Sequence, residues 1–435
     1  MEKAVLIVGG FTEFAEGYVR AIHKRGLAVI ILDNKHEKYK QLMSYKEGNV
    51  DHFTRLVDQY ICIPQNEFSM ESLFLELEDC LKAYKITGLV AMDERWVIDS
   101  AILANYFNVP SVGLQAAVIS RNKEKQRELV KETPWGVHSQ KLSISQLKTT
   151  ELPKSGVIKP IDKYGSVNVV IWSNKEQGQE VLNSIDLEDT SQIYLLEDRI
   201  DGQEYSIESW VQNGTIVYSS ITKKETLSSN GIEFPVEVGH EVHFTNLPEE
   251  LMNEVEKMNE FVIRESKIKN AIVHLEFKVN HQGIPKIMEW SVRNPGDRIM
   301  DLYLYAGAVN PYDLYVQVAL GENVDNIDTP KKKVFQKYLT LEIGSKFERP
   351  YDPENPIVYW PSHPEYQGFV RKEQGIKFSD NQEIYLYEIG ILIQHGHEIK
   401  AVTDSLSRHI YVVYSENQSS LQNMDLLENI LKSQI

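Results

Sequence analysis

The first 115 residues alternate between short apolar runs and helix-patterned stretches, and that rhythm restricts the fold more than any other feature of the chain. "KAVLIVGG" reads as a strand buried on both faces, "EFAEGYVRAIHKRG" as an amphipathic helix ending at Gly26, where a C-terminal cap belongs, and "LAVIILD" as a second apolar strand. "QYICIP", "MESLFLELEDCLKAYK", "ITGLVAMDE", "RWVIDSAILANYF" and "NVPSVGL" continue the alternation. It predicts a parallel sheet wrapped by helices, a Rossmann-like α/β domain over residues 1–115. Gly9, Gly10 and Asp33 invite a dinucleotide reading, but the glycines do not follow the G-x-G-x-x-G spacing, so plain architecture is preferred.

From residue 116 the texture changes. A charged helix, "SRNKEKQRELVKE", is followed by two apolar strands around a Gly-Ser turn in "SGVIKPIDKYGSVNVVIWSN". "QIYLLEDRIDGQEYSIESWVQNGTIVYSSIT" predicts antiparallel strands joined at Asp201-Gly202 and Asn213-Gly214. "LPEELMNEVEKMNEFVIRESKI" predicts an amphipathic helix, "NAIVHLEFKVNHQGIPKIMEWSV" a hairpin, and the last hundred residues short strands. A chain of 435 residues exceeds one core, and the boundaries fall at 1–115, 116–200, 201–325 and 326–435, the last an α+β portion.

With 46 basic and 63 acidic residues the net charge is −17, which lacks the basic footprint of a nucleic-acid or anionic-membrane binder. Cys62 and Cys80 give no disulfide framework or thiolate metal site, no apolar run reaches membrane-spanning length, and the N-terminus runs straight into a strand. A soluble cytoplasmic protein is the default expectation.

Two acids stand out because they sit within apolar strands. Around the turn "NHQG", Glu276 and Glu289 fall near-opposite in the predicted hairpin and can share one face. Like charges facing each other destabilise a sheet, and a divalent cation between them compensates both; oxygen-only ligation favours Mg²⁺. The alternative is that one of them faces solvent or pairs with Lys278 or Lys286. Lys159, ending the strand "VIKP" ahead of a Gly-Ser turn, suits a phosphate, and Lys123 offers a second ammonium from the preceding helix. His240, His243 and His274 invite a metal or base role, although a histidine in such a strand is more often packed.

Taken in order, "GVIKPIDKYGSVNVV", "YLLEDRIDGQEYSIE", "FPVEVGHEVHFTNLPEEL" and "VHLEFKVNHQGIPKIMEWSVRNPGD" resemble the strand-end lysine, hinge, large loop and metal-carboxylate motifs of the ATP-grasp superfamily. The likeness runs from about residue 3 to about 420 and is greatest to the carboxylate–amine ligases that include L-amino-acid (dipeptide) ligases. It implies an N-terminal α/β domain, a central two-lobed ATP-binding region and a C-terminal α+β portion. It also implies ATP with Mg²⁺ (or Mn²⁺), a small-molecule carboxylate and an amine as substrates, and an acyl-phosphate route to an amide with release of ADP and phosphate. A homodimer is compatible with it.

By motif, the resemblance puts Lys123 and Lys159 on the α- and β-phosphates, with a loop from Lys163 to Val167, including Gly165 and Ser166, closing over the phosphates. Glu197 and Ile200 meet adenine, Glu204 the ribose, and Glu276, Glu289 and Ser291 the metal. Arg293 lies at the transferred phosphate or the carboxylate. Ser291 stands where the family usually has Asn, Gly165 is alone where relatives carry two or three glycines, and "NPGD" replaces a Gly pair. A bicarbonate- or formate-using carboxylase or ribonucleotide-synthesis ligase, and a nucleotide-binding regulator without turnover, are the competing readings. The stretch "SSITKKETLSSNGIEFPVEVGHEV" is expected to form a lid over the intermediate.

Overall fold

The structure, a computed structural model, describes residues 1–64, 69–163, 168–184, 192–229, 232–243, 246–307, 309–324, 327, 332–352, 355, 357–369, 375–379, 384–405 and 407–416. The N-terminal alternation forms a four-stranded parallel sheet in the order β3-β2-β1-β4, from Glu2–Val8 (β1), Ala28–Asp33 (β2), Gln59–Cys62 (β3) and Tyr84–Ala91 (β4). Every residue of β2 is buried, which is why the sequence shows a continuous apolar run and no alternation. Asp33 accepts from the Phe11 and Asn34 amides and the Trp96 indole at 3.1, 2.7 and 3.2 Å, so its carboxylate holds turns in place.

A second sheet, ordered β5-β8-β6-β7, comprises Ser139–Ser143 (β5), Gly156–Pro160 (β6), Val170–Trp172 (β7) and Ile193–Asp198 (β8). Ile158, Trp172, Tyr194 and Leu196 fill the core on one of its faces. The residues between them, Val157, Lys159, Ile171 and Glu197, line a cleft on the other.

The third sheet is the largest. It includes Gln203–Gln212 (β9), Thr215–Ser229 (β10), Ile232–Glu241 (β11), Ala271–Val279 (β12) and Pro285–Ser291 (β13), and continues through Lys333–Leu339 (β14), Val358–Tyr359 (β15), Ile376–Ser379 (β16), Ile384–Ile391 (β17) and Ile410–Glu416 (β18). One face presents Tyr205, Ile207, Ile221, Leu275, Phe277, Ile287 and Trp290, packed with Val255, Met258 and Val262 of the helix Glu249–Glu265. The opposite parity carries Glu204, Ser206, Glu208, Thr222, Lys224, His274, Glu276, Lys278, Glu289 and Ser291. Registers place these in rows: Glu289 opposite Glu276 opposite Ser206, and Ser291 opposite His274 opposite Glu208.

One expectation is corrected. Asp201-Gly202 joins β8 to β9, which belong to different sheets, and so forms a crossing between lobes; of the two dipeptides, Asn213-Gly214 closes a tight hairpin, with φ of 51° and 81°. The stretch expected to contain a lid has Asn230-Gly231 in its middle, outside the described residues, and is, over its described part, two long paired strands, with Thr222 and Lys224 buried. Alternation explains this, because Lys224 faces the sheet's charged interior while Glu225 points out. Among the described residues no helix is long and apolar enough to cross a membrane.

Candidate active site

The cleft between the charged face of the large sheet and the open face of the small one spans about 830 Å³, part of it open to solvent. Lys123, Lys159, Lys163, Glu197, Ile200, Glu276 and Glu289 line it together. Lys123 begins the helix Lys123–Val130, fixed there by the Asn122 cap, whose side chain accepts from the Lys125 amide at 3.1 Å. Its ammonium lies 2.9 Å from Glu289 Oε2 and donates to the Lys163 carbonyl at 2.7 Å. Lys123, on a helix rich in charge, is thus held in an ion pair across the cleft.

Lys159 is buried, its Nζ 2.8 Å from Glu197 Oε2 and 3.2 Å from the Met288 carbonyl that accepts from it. Glu197 is shared: Arg127 Nε lies 2.7 Å from Oε1 and Nη2 3.2 Å from Oε2. Burial and the Arg127 charge push the Lys159 ammonium down to about 8, since one carboxylate serves two cations. Burial alone would raise Glu197, but Arg127 and Lys159 overcome it and hold the carboxyl down at about 2.

Glu276 and Glu289 are register partners, as the hairpin reading expects. Neither pairs with Arg293 or Lys286. Lys224 Nζ stands 2.6 Å from Glu276 Oε1 and 2.9 Å from Glu237 Oε1, and His274 Nε2 lies 3.0 Å from Glu276 Oε1. Burial would raise Glu276; Lys224 and His274 instead hold it well below the usual carboxylate range. Behind it the fully buried Glu208 accepts from His274 Nδ1 at 2.7 Å, Ser206 Oγ at 2.6 Å, Thr222 Oγ1 at 2.6 Å and Tyr303 OH at 2.7 Å. Burial and Lys224 oppose the His274 charge, but Glu208 and Glu276 raise the imidazole to about 9.

Two carboxylates and the Ser291 hydroxyl on one sheet face form an oxygen donor set, and ammonium groups already sit on both acids. The residues fit a hard divalent cation. Glu204 is brought near but not onto the wall: it is buried behind Lys278, whose Nζ is 3.7 Å away, and burial with Glu237 and Glu276 pushes it up to about 7. Gly165 and Ser166 lie outside the described residues.

A second chamber of about 410 Å³ shares Lys123, Lys163, Glu276 and Glu289 with the cleft and adds Glu94, Arg121, His274, Ser291 and Arg293. Arg293 Nε is 2.7 Å from Glu94 Oε2, and Arg121 Nη1 is 2.7 Å from Glu94 Oε1, so a residue of the N-terminal lobe holds both guanidinium groups. His240 Nε2 contacts Glu237 Oε2 at 2.6 Å and Asp297 Oδ2 at 4.0 Å, but Lys224 and Arg408 already neutralise those acids. Sequence reading missed Arg127, Glu94, Lys224 and Glu208. For Glu208 the alternation Glu204-Tyr205-Ser206-Ile207-Glu208 was the available signal; "ITKKE", four polar residues in a row, gave none for Lys224.

Residues 152–300 match the family model described as ATP-grasp domain. No curated protein matches the chain in sequence. Among solved structures, an L-amino acid ligase from Bacillus licheniformis superposes with a TM-score of 0.73 at 17% identity, covering 99% of this chain and 97% of that one. Phosphoribosylglycinamide synthetase from Anaerococcus prevotii gives 0.64 at 15%, covering 99% and 97%. The biotin carboxylase domain of Hydrogenobacter thermophilus 2-oxoglutarate carboxylase, a dimer in complex with MgADP, ADP and bicarbonate, gives 0.61 at 12%, covering 95% and 86%. The matched segment contains Lys159, Glu197, Glu276, Glu289 and Arg293, and the superpositions extend over nearly the whole chain: residues 152–300 are an ATP-grasp domain, and the chain has the ATP-grasp fold.

Proposed function

We propose that the protein is an ADP-forming carboxylate–amine ligase whose carboxylate substrate is an amino acid, joined to an amine through an acyl phosphate. The observation that carries this reading is a pair of adjoining spaces that share Lys123, Lys163, Glu276 and Glu289, with Lys159 lining one and the Arg293 side chain lining the other. The likeness to the L-amino acid ligase supports the substrate class. The fourfold division at residues 115, 200 and 325 stands as the proposed domain plan.

A carboxylate is a poor electrophile, so it must first gain a leaving group, and phosphoryl transfer from ATP supplies one. Lys159 and Lys123 bind and orient the phosphates. Ile200 and Val157 line the apolar end of the cleft, where a base stacks. Arg293, positioned by Glu94, receives the substrate carboxylate in the second chamber. Mg²⁺ held by Glu276, Glu289 and Ser291 would neutralise phosphate charge there. Glu208 and His274 fix the Glu276 carboxylate from behind, and Lys224 supplies a further positive charge beside it. These roles are positioning and electrostatics, with no protein nucleophile.

Release of ADP and phosphate, with mass spectrometry of products from ATP and a mixed amino-acid pool, tests the proposal. A product whose formation requires one acid-and-amine pair is the expected result. Nucleotide binding without turnover on any pair would overturn it in favour of a regulatory protein.

A further inference from the structure

The two carboxylate oxygens of Glu276 stand in different surroundings. Oε1 is closed by two cationic donors, with Lys224 Nζ 2.6 Å from it and His274 Nε2 3.0 Å. Neither donor can swing away to solvent: Lys224 is 1% exposed and its ammonium is also held by Glu237 Oε1 at 2.9 Å, while His274 Nδ1 is held at 2.7 Å by the fully buried Glu208. Both ring nitrogens of His274 face carboxylates, so the ring donates from each. A carboxylate oxygen accepts through two lone pairs, and on Oε1 both are taken. Oε2 accepts from nothing among the described residues, yet it is not a buried atom, and the side chain lines both the cleft and the second chamber.

Glu276 therefore offers one oxygen to a ligand, and that limits which cation the oxygen set of Glu276, Glu289 and Ser291 can serve. Mg²⁺ is small, demands near-octahedral geometry, and fills its shell with phosphate oxygens and water; Ca²⁺ is larger, gathers roughly six to eight oxygens, and uses carboxylates through both oxygens to reach them. A carboxylate fixed through one oxygen suits the first ion and denies the second a ligand. We propose that Lys224, with His274, selects the metal: by occupying Glu276 Oε1 it makes the site favour Mg²⁺ over Ca²⁺. Lys224 is in this sense a positioning residue, acting on the ion through Glu276. The inference rests on the divalent-cation reading of the site.

Calorimetric titration of the full chain with an unhydrolysable ATP analogue, saturated with Mg²⁺ or with Ca²⁺, tests it in the unmodified protein and in Lys224→Met, which keeps the length of the side chain and loses the ammonium. The unmodified protein is expected to bind the Mg²⁺ complex about tenfold or more tightly than the Ca²⁺ complex, and Lys224→Met to bring the two within about threefold. Loss of the Lys224 charge acts alike on two ions of equal charge, so the ratio reports the freed oxygen and not the charge. A ratio that Lys224→Met leaves unchanged overturns the proposal. If that variant does not fold, His274→Leu frees the same oxygen and is read in the same way. Binding of the two complexes within about twofold by the unmodified protein overturns the proposal without any variant. Failure of either ion to tighten the analogue beyond its metal-free affinity overturns the divalent-cation reading as well, and so is distinguishable from failure of the Lys224 assignment.

Discussion

Lys159 shows how one carboxylate divided between two cations tunes a binding group. Burial, with Arg127 beside it, brings its ammonium to about 8, far below an exposed lysine, so the charge needed to attract phosphate is lost within an ordinary alkaline range. The direction follows from linkage: phosphate binds the protonated form, and as pH rises through about 8 the free protein must regain a proton to bind. Affinity for an ATP analogue is expected to be about tenfold weaker at pH 9 than at pH 7. In Lys159→Ala the affinity is expected to be weaker throughout and nearly flat over that interval. Calorimetry at a series of pH values checks both, and an unmodified protein that binds equally at pH 7 and pH 9 would remove Lys159 from the phosphates. Lys159 was legible in the sequence because a charge ending an apolar strand is unusual. Arg127 was not, since an arginine in a helix rich in Lys and Glu looks like solvated surface until the fold sets Glu197 against it.

At the scale of elements, the site is a product of parity. Strands β9, β10, β12 and β13 bury aromatic and aliphatic residues on one face and acids, lysines and a histidine on the other, and in β9 the two sets were written in the sequence as alternation, though not in the polar run of β10. The hairpin facing Glu276 to Glu289 could be read directly from its turn. The crossing at Gly202 could not, because the dipeptide that closes a tight turn also serves where a strand leaves one sheet for another. There φ is +133°, and a Cβ would fall 1.9 Å from the Val279 carbonyl oxygen. Gly202→Ala is therefore expected to cost roughly 1–3 kcal/mol from backbone strain alone, more with the clash, and to weaken nucleotide binding by shifting β8 against β9. Chemical denaturation and analogue titration measure the two effects, and an unchanged midpoint would show that the crossing is not held as described. Glu208 makes a harsher case. Removing it by Glu208→Ala takes the shared acceptor from four buried donors, of which the Tyr303 hydroxyl keeps the Ser220 carbonyl, and the loss is expected to be on the order of 3–5 kcal/mol by denaturation.

In the whole molecule the lobes share an apolar core, and Glu94 adds a charged contact between them. This carboxylate, carried just beyond β4, holds Arg121 and Arg293 at once, each at 2.7 Å. No sequence pattern announces a pairing between residues 94 and 293, because only the fold makes them neighbours. Glu94→Gln is expected to cost about 3 kcal/mol by leaving two guanidinium groups without their shared acid. A stability change below about 1 kcal/mol in denaturant would mean that Glu94 carries little of the junction, which a shared apolar core including Tyr18, Val19, Tyr312 and Tyr315 also holds. The central proposal concerns the acids that share a chamber with Glu94: that Glu276 and Glu289 hold a divalent cation with ATP. Among the described residues Glu289 pairs with Lys123 alone, at 2.9 Å and with 36% of its side chain exposed, so its structural contribution is small. The deciding measurement is therefore Glu289→Gln followed in parallel by denaturation of the metal-free protein and by titration of an ATP analogue with and without Mg²⁺. Metal-free stability within about 1 kcal/mol of the parent, together with loss of the Mg²⁺-dependent tightening of nucleotide, is the expected result. Tightening by Mg²⁺ that survives the substitution unchanged would contradict the account.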